Sequence, residues 1–227
     1  MLASTSAGGE IETARYGKPT ARYPHGALGD DHEWGALIVR LSDGTAQTAR
    51  LDTRRVFEDT RPRRVDLDGD GAAELIAVES DAALGARLAV WGLREGRLAR
   101  LAATPFIGTR FRWLAPVGAA DLDDDGAMEV AYVDRPHLAR VLRVWRYLPE
   151  GPALVEVAAE AGHTNHRMGE PDIAGGIRDC GTGPEIVTAS ADWTRLRATR
   201  LHGDRLTSRD IGPYRGRESF AASLSCR

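Results

Sequence analysis

The chain has 227 residues, which is enough for one large domain or two small ones with a sizeable core. Its formal net charge of −3 gives no overall attraction to nucleic acid or to anionic lipid. No apolar run approaches the ~20 residues that a membrane-spanning helix needs. The composition therefore predicts a protein with no nucleic-acid partner and no membrane span.

The N-terminal residues 1–9 lack both the basic start and the apolar centre of an export signal. We expect them to form a flexible head on an exported chain whose signal has been removed. The rest of the chain, residues 10–227, is predicted to be a single domain.

Short apolar segments recur along the chain and have the composition of buried strands. They lie at residues 36–39, 75–78, 130–133, 186–189 and 220–223. A second strand is predicted after three of them, at residues 87–91, 142–147 and 196–201, and a third at 97–101 and 154–157. Antiparallel strands repeated with this period predict an all-β fold, a β-propeller with four strands in each blade.

Five apolar segments predict five blades, but the last one has almost no chain after it to complete a sheet. Residues 10–16 and 20–23 alternate like a pair of strands with no blade of their own. We therefore expect these N-terminal strands to pair with the strand at 220–223 and to close the ring. A four-bladed ring or an open β-sandwich is the alternative, and each would leave one segment unexplained.

Two nine-residue runs, loop A (residues 66–74) and loop B (residues 121–129), share one acidic pattern. Each has Asp at positions 1, 3 and 5, Gly at position 6 and Glu at position 9, directly before an apolar strand. These oxygens and the carbonyl at position 7 can surround a hard cation, and calcium is favoured because neither run offers nitrogen or sulfur. The predicted ligands are Asp66, Asp68, Asp70, Ala72 and Glu74 in loop A, and Asp121, Asp123, Asp125, Ala127 and Glu129 in loop B. The alternative is two acidic turns that bind no ion.

This pattern, running straight into a buried strand, resembles the FG-GAP/VCBS repeats of integrin-α-like β-propellers. The resemblance covers loops A and B and implies two calcium ions. A related but incomplete run, loop C (residues 179–185), precedes the strand at 186–189. Alignment on Glu185 places Asp179 on Asp123 and leaves Ile177 at the first ligand position, so we expect loop C to bind calcium poorly or not at all.

The two cysteines, Cys180 and Cys226, either form one disulfide or stay as buried free thiols, and their spacing does not decide between these states. Calcium loops fill best where free calcium is plentiful. Together with the head, this predicts a periplasmic or extracellular protein.

In a propeller, the connections that enter the first strand of each blade lie on one face. Ligand contacts are expected there from Glu58, Asp59, Arg110, Arg112, Trp113, His166, Arg167 and Arg178. Arginine forks and aromatic rings suit a polar or anionic ligand such as an acidic sugar. Trp113 is expected to be exposed for stacking. The alternative is solvated loop charge with no ligand.

The histidine pair His163 and His166 lacks an evident third metal ligand, so exposed or hydrogen-bonded loop histidines are expected there. Signatures of common enzyme classes, such as Gly-x-Ser-x-Gly or His-Glu-x-x-His, are absent from the sequence. The favoured function is non-catalytic recognition, by a monomer, of a polar or anionic ligand, for example a glycan, or of a protein partner.

One alternative function is a carbohydrate hydrolase or lyase that uses two acids in the central channel. The acids that could serve are Glu33, Glu58, Asp59 and Asp192. Another alternative is a scaffold subunit with an exposed apolar patch.

Overall fold

The computed structural model describes residues 9–150 and 153–227, with only the backbone of Ala153. Within these ranges the chain is all-β, with 17 strands and one short helix. The chain divides into two compact units. Unit 1 contains residues 9–25 and 31–111, and unit 2 contains residues 26–30 and 112–227. Residues 1–8 of the predicted head lie outside the described residues, and the single domain over 10–227 stays a prediction.

Unit 1 is one antiparallel sheet. Its strands are β1 (Ile11–Thr20), β2 (Glu33–Leu41), β3 (Ala46–Arg50), β4 (Arg55–Phe57), β5 (Arg63–Val65), β6 (Glu74–Asp81), β7 (Gly85–Arg94) and β8 (Arg97–Ala103). They are ordered β1-β2-β4-β6-β7-β8, with β3 also beside β2 and β5 also beside β6. The strands β5 to β8 therefore form a four-stranded meander. Its core includes Leu37, Phe57, Leu75 and Trp91.

Unit 2 contains two sheets. The first consists of β9 (Leu114–Ala120), β10 (Glu129–Asp134), β11 (Val141–Leu148) and β12 (Ala153–Ala161), paired in chain order. The second consists of β13 (His163–Thr164), β14 (Gly176–Asp179), β15 (Pro184–Ser190), β16 (Arg195–His202) and β17 (Arg205–Pro213). There β13 and β14 both pair with β15, which is followed by β16 and β17.

The two sheets of unit 2 share one apolar core. Val133 and Leu142 from the first sheet, with Leu122 from the connection between β9 and β10, lie in the same buried cluster as Ile186 and Leu201 from the second. Successive side chains of a strand point to opposite faces of its sheet, and along β11 buried and half-buried side chains alternate almost throughout. Repeated four-stranded antiparallel meanders are the unit from which a β-propeller is built, so the strand topology is consistent with that class.

Most of the strand predictions are confirmed. The first four apolar segments lie in β2, β6, β10 and β15, and the predicted second strands lie in β7, β11 and β16. The predicted third strands lie in β8 and β12. Hydrophobic segments with period-two alternation were sufficient to locate these strands. The number of blades stays a prediction.

The fifth strand prediction is wrong. Phe220–Ser223 lies in the helix α1 (Arg217–Leu224). Phe220 and Ser223 are the buried residues of this helix, one turn apart, and Glu218 lies in its first turn, where a negative charge is favourable. Phe220 packs with Val187, Ala189 and Leu196 of the second sheet. The apolar segment at 220–223 is too short for its composition to distinguish one turn of a helix from a strand.

The predicted N-terminal strand pair is also wrong. Residues 11–20 form one uninterrupted strand, β1, which pairs with β2 from Ile11 opposite Leu41 to Thr20 opposite Glu33. Lys18 takes a positive φ of 59° within β1, but the chain does not turn back there. Because residues 220–223 are helical, the proposed strand pairing between the two ends of the chain does not form. Closure of a ring by other means stays a prediction.

Candidate metal centre

Loop A connects β5 to β6 and is fixed by hydrogen bonds from its own backbone. The buried side chain of Leu67 anchors the loop, and the Leu67 amide donates to Glu74 Oε2 at 2.8 Å. The Asp66 carboxylate accepts from the amides of Gly69 at 2.7 Å and Gly71 at 3.0 Å. The loop is therefore held at both ends by carboxylates of the pattern.

Loop B connects β9 to β10 with the same framework. The amide of the buried Leu122 donates to Glu129 Oε2 at 2.8 Å. Asp121 accepts from the amides of Asp125 at 3.1 Å and Gly126 at 2.9 Å. The repeated sequence pattern thus specifies a repeated structure.

Positive φ angles are required at two positions of each loop. Position 6 has φ 91° at Gly71 and 89° at Gly126, as predicted for glycine. Position 4 also adopts the left-handed backbone conformation, with φ 76° at Gly69 and 61° at Asp124. Sequence reasoning missed this second bend. Its signal was the Gly or Asp at position 4, residues that tolerate this conformation.

The ligand-type oxygens of each loop converge. One oxygen each from Asp66, Asp68 and Asp70 lie within 4.8 Å of one another, and so do one each from Asp121, Asp123 and Glu129. Asp123 is 9% exposed, and its Oδ1 atom is buried without a hydrogen-bond partner among the described residues. Oxygen-only donors and an unpartnered buried carboxylate oxygen fit a hard cation such as calcium.

The glutamate at position 9 of each loop, here called the closing glutamate, is Glu74 in loop A and Glu129 in loop B. The charges that act on the pKa values of these two residues differ. Burial and the neighbouring carboxylates of Asp68, Asp70 and Asp66 raise the pKa of Glu74 to about 7, although the Leu67 amide opposes this shift. Burial also raises the pKa of Glu129, but there the Arg146 guanidinium opposes the shift. Among the residues that the structure describes, no arginine forms an ion pair with the acidic residues of loop A.

Arg146, on β11, contacts three predicted ligands of loop B. Its guanidinium lies 2.8 Å from Asp123 Oδ2, 2.9 Å from Asp125 Oδ2 and 2.6 Å from Glu129 Oε1. Sequence reasoning missed this residue. Only the strand register of the structure, which pairs Arg146 directly with Glu129, connects the two residues.

Loop C is two residues shorter than loops A and B, and the ungapped sequence alignment of it is wrong. Arg178 pairs with Glu185 across the strands as Ala120 pairs with Glu129. Asp179 therefore corresponds to the first ligand position, not the third. Its Oδ1 accepts from the amides of Gly181, Thr182 and Gly183 at 2.8–3.2 Å.

The closing glutamate of loop C is surrounded by arginines. Glu185 is 2% exposed and accepts from Arg178 at 3.0 Å, Arg200 at 2.9 Å and Arg209 at 2.8 Å. Despite its burial, these contacts lower its pKa. Poor calcium binding by loop C stays a prediction, and this arrangement gives it a physical basis.

Cys180 and Cys226 form a disulfide, with a Cα–Cα distance of 5.7 Å. The disulfide alternative is therefore the one that the structure shows. It joins loop C to the residues that directly follow α1.

In unit 1, two of the predicted ligand-binding acids are buried and bonded internally. Glu58 is bonded to His25 and to the Ser80 hydroxyl. Asp59 forms an ion pair with Arg63 at 2.7 Å and accepts from the Tyr16 hydroxyl at 3.2 Å.

Arg110, the predicted arginine of unit 1, is exposed. Its guanidinium lies 4.4 Å from the centre of the Phe111 ring and 5.9 Å from that of Tyr23. The Tyr23 hydroxyl accepts from the Phe111 amide at 2.8 Å, which fixes this ring pair. A polar ligand could reach Arg110, whereas the two acids support the loops from inside.

In unit 2, the prediction that Trp113 is exposed is wrong. Trp113 is 2% exposed and contacts His166 edge to face, with ring centres 4.8 Å apart, and stacks on His137 at 6.2 Å. The loop that carries it packs inward because the indole fills space beside these two imidazoles. His166 is also buried, and burial lowers its pKa. Its Nε2 donates to the Glu170 carbonyl at 2.9 Å.

The three predicted arginines of unit 2 differ in accessibility. Arg112 is half-buried, and Arg178 is bonded to Glu185 and to the Ser223 carbonyl at 2.7 Å. Arg167 is exposed, with its guanidinium 4.5 Å from the Trp193 ring centre and 5.4 Å from that of Tyr214. Arg167 is thus the accessible one.

His163, predicted as an exposed or hydrogen-bonded residue, is buried and hydrogen-bonded. Its Nδ1 lies 2.8 Å from the Thr188 hydroxyl and its Nε2 lies 3.3 Å from Glu160. Burial lowers its pKa to about 4. The imidazole is therefore neutral near pH 7.

Among the described residues, no helix has the length and apolar character needed to cross a bilayer. No curated protein matches the chain. Residues 66–132 match a family model described as an FG-GAP-like repeat. This match begins at Asp66, the first predicted ligand of loop A, and extends beyond loop B into β10. The chain therefore contains an FG-GAP-like repeat, which indicates a β-propeller-type module.

Proposed function

We propose that this protein is an exported binding module of the β-propeller type, stabilised by two calcium ions, one in loop A and one in loop B. The observation that carries the proposal is the repeated geometry of the two loops. In both, the amide at position 2 donates to the closing glutamate at 2.8 Å, and the first aspartate accepts amides of the loop. The FG-GAP-like match spans both loops.

The chain's own residues would hold each ion. In loop A these are the carboxylates of Asp66, Asp68, Asp70 and Glu74 and the carbonyl of Ala72. In loop B they are Asp121, Asp123, Asp125 and Glu129 with the carbonyl of Ala127. A calcium ion would supply positive charge to each group of repelling carboxylates and fix the turn between two strands.

The recognition surface is proposed to use exposed arginines that lie on aromatic rings. Arg110 in unit 1 and Arg167 in unit 2 have this arrangement. A ring beneath a guanidinium limits its motion while its N–H groups stay available, which suits carboxylates and other anions. We propose that the monomer binds a polar or anionic ligand, such as an acidic glycan, or an acidic surface of a protein.

Export to the periplasm or the extracellular space is part of this proposal. The Cys180–Cys226 disulfide supports it, because structural disulfides persist in oxidising compartments. Calcium concentrations outside the cytosol would fill loops of this kind.

Thermal melting in calcium and in chelator tests the metal part of the proposal. We expect calcium to raise the melting temperature of the wild type, and Asp68→Ala and Asp123→Ala each to remove part of that increase. In chelator the two variants should melt close to the wild type. An unchanged wild-type melting temperature on chelation would show that the loops bind no structural ion.

A glycan array tests the recognition part. Arg110→Ala and Arg167→Ala should weaken binding of acidic glycans, because each removes an accessible guanidinium. Arg94→Ala, at an exposed arginine on β7, is the matched control and should bind as the wild type does. Equal binding by all four proteins would exclude these two arginines as ligand contacts.

A further inference from the structure

Strand register identifies the residue that lies opposite each of the three closing glutamates. Arg146 pairs directly with Glu129 of loop B. The register of β6 on β7, with Leu75 opposite Trp91, places Gly92 opposite Glu74 of loop A. A Cβ built on Gly92 would lie 3.5 Å from the Glu74 side chain, which confirms that they are adjacent.

The same position in loop C is again an arginine. The register of β15 on β16, with Ile186 opposite Thr199, places Arg200 opposite Glu185. Arg200 donates to Glu185 Oε1 at 2.9 Å. Glycine, arginine and arginine therefore occupy one structural position in loops A, B and C.

The arginine of loop B occupies oxygens that a cation would need. Asp123, Asp125 and Glu129 each give one oxygen to the guanidinium, and these are three of the five predicted ligands. In loop A, within the described part of the chain, no ion pair involves Asp66, Asp68, Asp70 or Glu74. The two loops thus differ in their internal counter-charge, although their backbones are alike.

We propose that Arg146 acts as a built-in cation that competes with calcium for loop B. Loop A then fills first, and loop B fills at a higher calcium concentration, when the ion displaces the guanidinium. This inference rests on the proposed function, because it assumes that both loops accept calcium. It assigns Arg146 as the residue that sets the difference in affinity between the two sites.

Arg146 does not satisfy loop B completely. Asp123 Oδ1 is buried and unpartnered while Oδ2 of the same carboxylate contacts the guanidinium. A buried oxygen without a partner is unfavourable, and a calcium ion in the loop would bind it. Arg146 is itself 21% exposed, so its side chain has access to solvent if it is displaced.

In loop C, arginine side chains take the place of a calcium ion at the closing glutamate. Arg178 and Arg209 join Arg200 on the one closing glutamate, and the shortened loop has lost two residues of the pattern. Loop B is intermediate between a loop with no internal cation and a loop with three. The occupancy of loop B should therefore change over a higher range of calcium concentration than the occupancy of loop A.

Isothermal titration with calcium chloride, on the full chain, measures this difference. Asp68→Asn disables loop A and leaves loop B as the measured site. On that background, Arg146→Gln should tighten calcium binding by about tenfold or more, since it removes a full positive charge from the ligand group. Arg146→Lys should give a smaller change, because it keeps the charge but cannot contact three carboxylates at once.

Arg200→Gln on the same background is the matched control. It removes the arginine from the equivalent position in loop C, and the calcium affinity of loop B should change far less than in Arg146→Gln, because Arg200 is paired with Glu185 and not with a loop B carboxylate. Should the Arg146→Gln protein be unfolded in chelator, its refolding as calcium is added, followed by circular dichroism, measures binding coupled to folding and gives a lower limit on the affinity of the folded site.

The outcomes separate the inference from the function on which it rests. Tighter binding in Arg146→Gln but not in Arg200→Gln supports the inference. If loop B binds calcium with equal affinity with and without Arg146, the competition is wrong and the calcium function stands. If neither the wild type nor any variant binds calcium, the proposed calcium function is wrong as well.

Discussion

Removal of the Cys180–Cys226 disulfide should destabilise unit 2. The bridge spans a sequence separation of 46 residues. Closing a loop of that length removes about 13–14 cal/mol/K of chain entropy from the unfolded state, or about 4 kcal/mol at 25 °C. The enclosed segment includes β15, β16 and β17, so the constraint acts on three of the five strands of the second sheet of this unit.

The measured loss should approach that value only if α1 stays docked in the folded state. Phe220 is 4% exposed within a cluster that contains Val187 and Leu196, and Arg178 donates to the Ser223 carbonyl at 2.7 Å. These contacts should hold α1 in place without the disulfide. We therefore expect the global unfolding free energy to fall, rather than α1 simply to detach.

Guanidinium unfolding of Cys180→Ser/Cys226→Ser against the oxidised wild type measures the change. The wild type with a reducing agent is the second comparison, and it should match the double variant. A loss of about 2–4 kcal/mol is expected. A variant with the stability of the wild type, within about 0.5 kcal/mol, would refute the entropic reasoning.

Three further predictions concern other positions. Phe220→Ala should cost about 3 kcal/mol in urea unfolding, because it empties the contact that docks α1; a cost below about 1 kcal/mol would show that α1 is not part of the cooperative core. Gly71→Ala should cost about 1–2 kcal/mol from its φ of 91° alone, since a Cβ there meets nothing within 4 Å; Gly44→Ala, in equally open space at φ 85°, should cost a similar amount, and a neutral Gly71→Ala would contradict the strain. The stability of unit 2 should fall as the pH drops from about 6.5 to about 4, because an unfolded His163 takes up a proton in that window while the buried one stays neutral. His163→Asn should flatten that slope in urea unfolding at a series of pH values, and an unchanged slope would assign the effect to other groups.

The sequence predicted the strands well because their signal is local. Alternation and short apolar runs located β6, β10 and β15, and the acidic pattern located the loops before two of them. The position-6 glycines were predicted from turn chemistry, and their φ angles agree. Each of these inferences needs only neighbouring residues.

The errors arose where tertiary contacts decide. Phe220 belongs to a helix because its burial is one-sided and repeats after one turn, a signal too short to read from four residues. Trp113 is buried by His137 and His166, which are distant in sequence. The gap in loop C became visible only when strand pairing placed Arg178 opposite Glu185.

Arg146 shows most clearly what the sequence could not reveal. It lies 17 residues after Glu129, and nothing local connects the two. The hairpin registers show that Gly92, Arg146 and Arg200 occupy the same position, opposite the closing glutamates of loops A, B and C. Pairing of strands, rather than composition, carries that information.

A crystal structure grown in millimolar calcium tests the central claim most directly. We predict an ion in loop A, at about 2.3–2.6 Å from oxygens of Asp66, Asp68 and Asp70, the carbonyl of Ala72 and the carboxylate of Glu74. A second ion is predicted in the equivalent place in loop B. Ordered electron density for both loops, with water or nothing at either centre, would contradict the calcium assignment.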